Sequence, residues 1–150
     1  MRLPLAMIAI LLFSSANGWT VEANVAIIEL NQTACQFVEP EHGDKGYQAN
    51  SYEACSQFNE LTSEQRLTQS EQLTLKPGEY LFRVYNRDVP YVLGFWLRGK
   101  GLSRLTLPSV AGGGIDTGGY KDYRIRLEEG EYLYSCPLNP TPDYRLVVKQ

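Results

Sequence analysis

The segment from Leu127 to Val148 constrains the fold more than any other part of the chain. It reads LEEGEYLYSCPLNPTPDYRLVV. Its pattern predicts a strand that ends at Cys136 and a closing strand that begins at Tyr144. The prolines between them have no amide hydrogen to donate to a sheet, so we expect a loop there. In a β-sandwich, such a strand–cysteine–loop–strand unit can hold a soft metal, a disulfide or neither.

The opening of this segment is repeated upstream. Leu75 to Val84 reads LKPGEYLFRV and Leu127 to Cys136 reads LEEGEYLYSC, so in both a leucine precedes a turn and Gly-Glu-Tyr-Leu opens a strand. Further short strands are predicted at Val25–Leu30, Tyr91–Arg98 and Tyr120–Leu127. Short strands separated by turns at this spacing predict an all-β fold, an antiparallel Greek-key β-sandwich.

Two stretches of the chain are less regular. An excursion at about 36–70 follows the first strand and contains a candidate helix at Tyr52–Arg66. We treat it as an insertion, because connections of that length are either functional or inserted. The second stretch, Gly99–Gly119, is rich in loops, with a candidate short strand at Ser103–Leu107. Its AGGGIDTGG sequence predicts a flexible loop, since glycine loses the most backbone entropy on ordering.

The N-terminus has the pattern of a secretory signal peptide. Arg2 is followed by the apolar run Leu3–Phe13 and then by small residues that precede a cleavage site after Gly18, with Ala23 as the alternative. We therefore expect residues 1–18 to be removed and 19–150 to form a single domain, periplasmic or secreted. The apolar run is too short to cross a bilayer comfortably, so membrane insertion is not expected.

The charge of the chain narrows the choice of partners. Without Arg2 there are 13 basic and 17 acidic residues, and the two signs are interspersed. Nucleic acids and anionic lipids require a basic surface, which this composition does not provide. For an exported domain of this kind, the expected partner is another protein of the cell envelope.

Three parts of the sequence together resemble the cupredoxins. They are Cys35 soon after the first strand, the stretch LTLKPGEYLFRVYN, and the C-terminal LEEGEYLYSCPLNPTPDYRLVV. In particular they resemble the cupredoxin-like domain of EfeO-type periplasmic iron-uptake proteins, which pairs a cysteine after strand one with a cysteine before the last strand. The resemblance implies a cupredoxin-like sandwich with its first strand beside its last, a pairing of Cys35 with Cys136, and a role in metal or iron handling.

The chain departs from the cupredoxins in its metal ligands. A type 1 copper site requires two histidines and a cysteine with a weak axial methionine or substitute. After removal of residues 1–18 the chain has one histidine, His42, and no methionine. The positions after Cys136 that would supply the second histidine and the methionine are occupied by residues 137–142. The ligand count therefore excludes a type 1 centre.

The three cysteines allow three arrangements. Cys35 and Cys136 can form a disulfide, as expected in an oxidising compartment. The same two residues can instead form a thiolate pair for Cu(I), which favours soft ligands. In the third arrangement Cys35 pairs with Cys55, which ties down the insertion and leaves Cys136 as a small buried residue.

A second candidate metal site lies close to Cys35 in the sequence. Glu39, Glu41, His42 and Asp44 gather three carboxylates and an imidazole within six positions, although the spacing is not that of a calcium loop. Together with Cys35 and Cys136, Glu39, Glu41 and His42 are the candidate metal ligands. No nucleophile motif surrounds His42, so we do not expect an enzyme.

These observations lead to one functional hypothesis and two alternatives. The chain is interpreted as an exported, non-catalytic cupredoxin-fold binding or accessory protein of the cell envelope, without type 1 copper and linked to metal or iron handling. The first alternative is an interaction scaffold without a metal role. The second is a Cu(I)-binding protein that uses Cys35 and Cys136. No cofactor is predicted, and copper is the single candidate.

Overall fold

The computed structural model describes residues 25–150 as two β-sheets packed face to face, with one α-helix at the side. The predicted signal peptide and both of its cleavage sites lie outside these residues. The strands are β1 Ala26–Thr33, β2 Gln36–Phe37, β3 Leu73–Leu75, β4 Gly78–Asn86, β5 Leu93–Gly99, β6 Val110–Ile115, β7 Tyr120–Leu127, β8 Gly130–Ser135 and β9 Tyr144–Val148, and the helix is α1 Tyr52–Gln69.

The order of the strands confirms the predicted sandwich and corrects two details. One sheet has the order β2-β1-β4-β7 and the other β3-β9-β8-β5-β6. Both sheets are mixed rather than purely antiparallel, because β1 runs parallel to β4 and β3 runs parallel to β9. The expectation that the first strand lies beside the last is wrong: β1 pairs with β2 and β4, and β9 belongs to the other sheet.

The core lies between the two sheets and is rich in aromatic rings. Alternation along β7 buries Tyr123, Ile125 and Leu127 and leaves the residues between them exposed, as the sequence predicted. Phe95 from β5 is fully buried, and its ring centre lies 5.1 Å from that of Tyr123 and 5.8 Å from that of Phe82. Rings at these separations add specific contacts to the hydrophobic burial that holds the sheets together.

The glycine-rich stretch is not a flexible loop throughout, because Val110–Ile115 forms the edge strand β6 beside β5. Close packing explains the glycines. A Cβ atom at Gly94 would lie 2.8 Å from the carbonyl oxygen of Gly112, and one at Gly112 would lie 3.1 Å from the ring of Tyr123. Glycine therefore lets β6 approach its neighbours closely, which is a common reason for glycine in a strand.

The short strand expected at Ser103–Leu107 is also absent, because Gly101–Leu105 forms a 3-10 helix instead. Gly101 has a φ angle of +58°, which glycine adopts at little cost. The turn brings the backbone of Ser103 so close to Gly99 that a Cβ atom there would lie 2.5 Å from the Ser103 carbonyl oxygen. The backbone geometry of the two glycines thus favours a tight turn over an extended segment.

The insertion contains the predicted helix, which runs slightly further than expected. The hydroxyl of Ser51 caps its N-terminus by accepting a hydrogen bond of 3.2 Å from the amide of Ala54. The buried residues of the helix are Cys55, Asn59 and Arg66, and of its apolar residues Leu67 packs against the core. The helix is therefore attached largely through polar groups. Within residues 25–150, no helix combines the length and apolarity that crossing a membrane requires.

Candidate site around Cys136

The cysteines follow the third of the three arrangements. Cys35 is bonded to Cys55, with their α-carbons 5.0 Å apart. Cys136 is a free, buried thiol, as the alternation along its strand predicted. The pairing of Cys35 with Cys136, as a disulfide or as a Cu(I) thiolate pair, is not what the structure contains, because the Cys35 sulfur is already bonded. Cys35 lies in the turn between β1 and β2, where its φ angle is +59°, and the disulfide joins this turn to α1.

The Cys136 sulfur lies where β8 ends, and two backbone amides point towards it. The amide of Gly94 donates to the sulfur at 3.4 Å and that of Asn139 at 3.2 Å. Burial raises the pKa of the Cys136 thiol, while these N–H groups act in the opposite direction. The raised pKa favours the protonated thiol over the thiolate on which cysteine nucleophilicity depends.

Asn139 fills the interior of the loop between β8 and β9. Its side chain is fully buried, and its amide oxygen accepts a hydrogen bond of 2.9 Å from the amide of Cys35. Its side-chain nitrogen donates at 2.9 Å to the carbonyl oxygen of Thr33. The hydroxyl of Tyr91 also donates to the Asn139 oxygen, at 3.4 Å. One side chain therefore fastens the C-terminal loop to the end of β1.

Gln32 completes this arrangement from the end of β1. It is fully buried, and its side-chain nitrogen donates at 2.9 Å to the carbonyl oxygen of Gly94. Its oxygen accepts from the side chain of Asn139 at 3.4 Å. We call Gln32, Gly94, Cys136 and Asn139 the Asn139 cluster. All its members are neutral, and no buried side-chain nitrogen or oxygen in the described part of the chain lacks a partner.

The remaining candidate metal ligands are not brought together. Glu39 accepts hydrogen bonds from the backbone amide of Asn31 at 2.9 Å and from its side chain at 2.7 Å. The side chain of His42 is 60% exposed and lies 3.8 Å from Glu71. In residues 25–150, no group of three or more histidine, cysteine, aspartate and glutamate residues is arranged to hold a metal ion.

Glu41 is buried in a second cluster, which is charged. One carboxylate oxygen accepts hydrogen bonds from Arg66 at 2.6 Å and from the Tyr144 hydroxyl at 2.5 Å, and the other accepts from the Tyr47 hydroxyl at 2.9 Å. Burial, and then the nearby Glu41 carboxylate, raise the pKa of Tyr144; the same two causes raise the pKa of Tyr47. Both phenols therefore stay protonated and act as donors to Glu41.

Arg66 links this cluster to the rest of the site. Its guanidinium group donates to the carbonyl oxygen of Cys35 at 2.8 Å and to the side chain of Asn59 at 2.6 Å. Asn59 in turn donates to the carbonyl oxygen of Pro140 in the loop that follows Cys136. We call Glu41, Tyr47, Asn59, Arg66 and Tyr144 the Arg66 cluster. It holds α1 against both the disulfide-bonded turn and the C-terminal loop.

The sequence interpretation missed most of these residues. One signal for Arg66 was present, because Cys55, Asn59, Thr62 and Arg66 follow one another at a spacing of four, three and four, which places them on one face of a helix. Arg66 is also the only basic residue within Tyr52–Gln69. Nothing in the sequence distinguishes Gln32 or Asn139 from polar residues on the surface.

Comparison with known proteins supports the fold alone. No protein-family model matches the sequence, and no curated protein matches it either. Among solved structures, auracyanin B has a TM-score of 0.53 at 12% identity, and the match covers 86% of this chain and 92% of that one. A reduced Cu(I) form of an amicyanin variant reaches a TM-score of 0.40 at 14% identity, covering 87% of each chain. The chain has a cupredoxin-like fold.

Proposed function

We propose that this protein is an exported, non-catalytic cupredoxin-fold binding module of the cell envelope that does not carry type 1 copper. The observation that carries the proposal is the enclosure of Cys136 by the Asn139 cluster. The sulfur is surrounded by backbone amides and neutral side-chain amides, each with its own hydrogen-bond partner.

Ligand chemistry supports the absence of copper. Copper in proteins is bound by imidazole and thiolate groups, and at this site a single free cysteine lies among amides without a histidine beside it. His42 lies on the surface beside Glu71 and is bonded to none of the members of the Asn139 cluster. The Cys136 sulfur already accepts hydrogen bonds from the amides of Gly94 and Asn139.

Two features support export. The first 18 residues have the signal-peptide pattern, and the Cys35–Cys55 disulfide is of the kind that forms and persists in oxidising compartments.

The charged groups of the Arg66 cluster form hydrogen bonds with one another, which suits a structural rather than a catalytic role.

The test uses the full-length chain expressed in a Gram-negative host. We expect a periplasmic protein whose intact mass corresponds to residues 19–150 with one disulfide. Addition of Cu(II) to this protein should give no intense blue absorption band. Titration with Cu(I) against a chelator should give the same binding curve for the wild type and for the Cys136→Ala variant.

Two results would overturn the proposal. A blue band, or Cu(I) binding that disappears in Cys136→Ala, would show that Cys136 is a metal ligand. Retention of the uncleaved chain in the cytoplasm would refute export without bearing on copper.

A further inference from the structure

A groove with an acidic rim opens between the edges of the two sheets. It has a volume of about 440 Å³. A hydrogen bond from the Glu71 amide to the Pro40 carbonyl oxygen connects two of its walls. Its apolar lining comes from Ile28, Leu30, Leu73 and Tyr134. A groove of this size is in the range of sites that bind ligands in proteins.

The wall formed by β1 has an open backbone edge. Seven residues of β1 pair with β4, but on the other side only Gln32 and Thr33 pair with β2. The amide of Asn31 on that side is taken by Glu39. Because backbone groups alternate along a strand, the amides of Ile27 and Glu29 point the same way as that of Asn31. Neither amide takes part in a backbone hydrogen bond of a turn or loop within residues 25–150.

An open strand edge of this kind accepts a further strand. The main chain of an added peptide would supply hydrogen bonds, and pockets for alternate side chains would supply specificity. Here the side chains of an added strand would alternate between the apolar lining and the outside of the sheet. The groove therefore fits an extended segment more closely than a compact small molecule.

The acidic lining of the groove indicates the charge that a bound segment should carry. Its lining contains three carboxylates, those of Glu29, Glu39 and Glu71, and neither lysine nor arginine. The Glu71 side chain is 70% exposed, so it can meet an incoming charge. A second copy of this chain docked edge to edge at β1 would bring the same carboxylates together, which is unfavourable. A partner segment with basic residues is complementary instead.

We propose that the groove between β1 and β3 binds an extended segment of a partner protein in which apolar and basic residues alternate, and that this segment adds a strand to the edge of β1. The inference rests on the proposed function, since it names the class of partner that the binding module would take. It is independent of whether the protein binds copper or is exported, so its failure can be told apart from theirs.

The test measures binding of a fluorescein-labelled peptide of alternating lysine and valine, eight residues long like β1. The protein is residues 19–150, and the readout is fluorescence anisotropy at low and high salt. A peptide of alternating glutamate and valine serves as the control ligand. We expect the lysine peptide to bind, the glutamate peptide not to bind, and the affinity to fall as salt is raised.

Two variants test separately how the acidic side chains and the open backbone edge of β1 contribute to peptide binding. The double variant Glu29→Lys with Glu71→Lys should weaken binding by at least about tenfold. The matched control, Glu60→Lys with Glu64→Lys on exposed positions of α1, changes the net charge equally and should leave binding unchanged. Ile27→Pro removes one outward amide without removing a pair to β4, and proline is tolerated at such edge positions. It should also weaken binding by about tenfold at unchanged thermal stability.

Three results would overturn the inference. Equal affinity for both peptides would show that the acidic lining does not favour a basic segment. Equal losses in the Glu29/Glu71 and Glu60/Glu64 variants would show general electrostatic attraction rather than a groove. A concentration-dependent dimer in sedimentation that Ile27→Pro abolishes, without peptide binding by the monomer, would assign the β1 edge to a second copy of the chain.

Discussion

The two buried polar clusters differ in charge although they lie side by side. The Asn139 cluster joins the C-terminal loop to β1 through neutral amides and a protonated thiol. The Arg66 cluster joins α1 to the same loop and turn through an ion pair whose side chains are 8% and 4% exposed. Most of the residues buried in the sandwich are hydrophobic, although Gln32, Asn86 and Arg98 are buried there as well.

This difference in charge predicts which substitutions destabilise the C-terminal loop and which destabilise α1. Neutral hydrogen bonds contribute modestly to stability, while loss of one partner from a buried ion pair leaves an uncompensated charge. The C-terminal loop near Cys136 is therefore held by several neutral hydrogen bonds, most of them made by Asn139. The helix is held by the Arg66 cluster and by the Cys35–Cys55 disulfide, and removal of the Arg66 guanidinium group should have the larger effect because it leaves a buried charge.

The largest effect is expected from Arg66→Ala. The substitution leaves the buried carboxylate of Glu41 without its cation, which costs about 3–5 kcal/mol in comparable sites. Urea denaturation followed by circular dichroism measures the loss in the free energy of unfolding. The control is Arg124→Ala, at an exposed position, which should change stability by less than about 0.5 kcal/mol. A loss of that small size in Arg66→Ala would show that Glu41 does not depend on Arg66.

The next effect is expected from loss of the disulfide. The Cys35–Cys55 bond closes a loop with a sequence separation of 20, for which chain entropy gives a stabilisation of about 3 kcal/mol. The variant with Cys35→Ser and Cys55→Ser should lose this amount in urea denaturation. Peptide mapping without reduction should recover the Cys35–Cys55 pair from the wild type. Recovery of Cys35 joined to Cys136 would contradict the assignment.

A smaller loss is expected from Asn139→Ala. The change leaves the buried Cys35 amide and Thr33 carbonyl without their partner, at a cost of about 1–3 kcal/mol. Alkylation of Cys136 in the native protein should become faster, since the loop that covers the sulfur is less firmly held. Asn50→Ala, at an exposed position, is the control and should change neither quantity. If Cys136 is alkylated rapidly in the wild type, its burial is refuted.

The smallest effect is expected on the outer face of the sheet, at the pair of Arg83 and Asp122. A hydrogen bond from Arg83 lowers the pKa of Asp122 below its usual 3.8. A lowered pKa in the folded state means that the pair contributes stability above the usual pKa and loses that contribution as the pH falls through the lowered value. Because both side chains are partly exposed, Asp122→Asn should cost less than about 1 kcal/mol at neutral pH.

The pH dependence of this pair provides its check. The difference in stability between the wild type and Asp122→Asn should shrink as the pH is lowered below about 4. Glu129→Gln, an exposed carboxylate on the turn between β7 and β8, should show no such trend. A difference that grows on acidification would show that the pKa of Asp122 is not lowered in the folded state.

Local patterns predicted the sandwich well because burial in a strand is a local property. The alternation in Tyr120–Leu127 was enough to identify its inward face, and the start of the helix at Tyr52 was placed correctly. Some errors were local, as at the 3-10 helix Gly101–Leu105, and others arose where distant segments determine the conformation. The glycines of β6 allow close contact with Gly94 and Tyr123, and neither of these lies near them in sequence.

The site was harder to predict for the same reason. The cysteine pairing remained open because it depends on where the turn after β1 places Cys35 relative to α1. Glu41 was identified as a candidate metal ligand, whereas its partners are Arg66 and Tyr144, up to 103 positions away. Asn139 acts through contacts with residues more than 100 positions distant. The helical spacing of polar residues in α1 was the one local signal for these contacts.

The polar attachment of α1 has a thermal consequence. Burial of apolar surface produces the large heat-capacity change of unfolding and weakens on cooling. Detachment of α1 exposes the polar groups of Asn59 and Arg66, with Phe58 beside Tyr47 and Leu67 beside the core as its apolar contacts. Opening of the helix alone should therefore have a smaller heat-capacity change than opening of the sandwich. Hydrogen exchange followed from warm to cold should show the helix amides retaining their protection relative to those of the core strands.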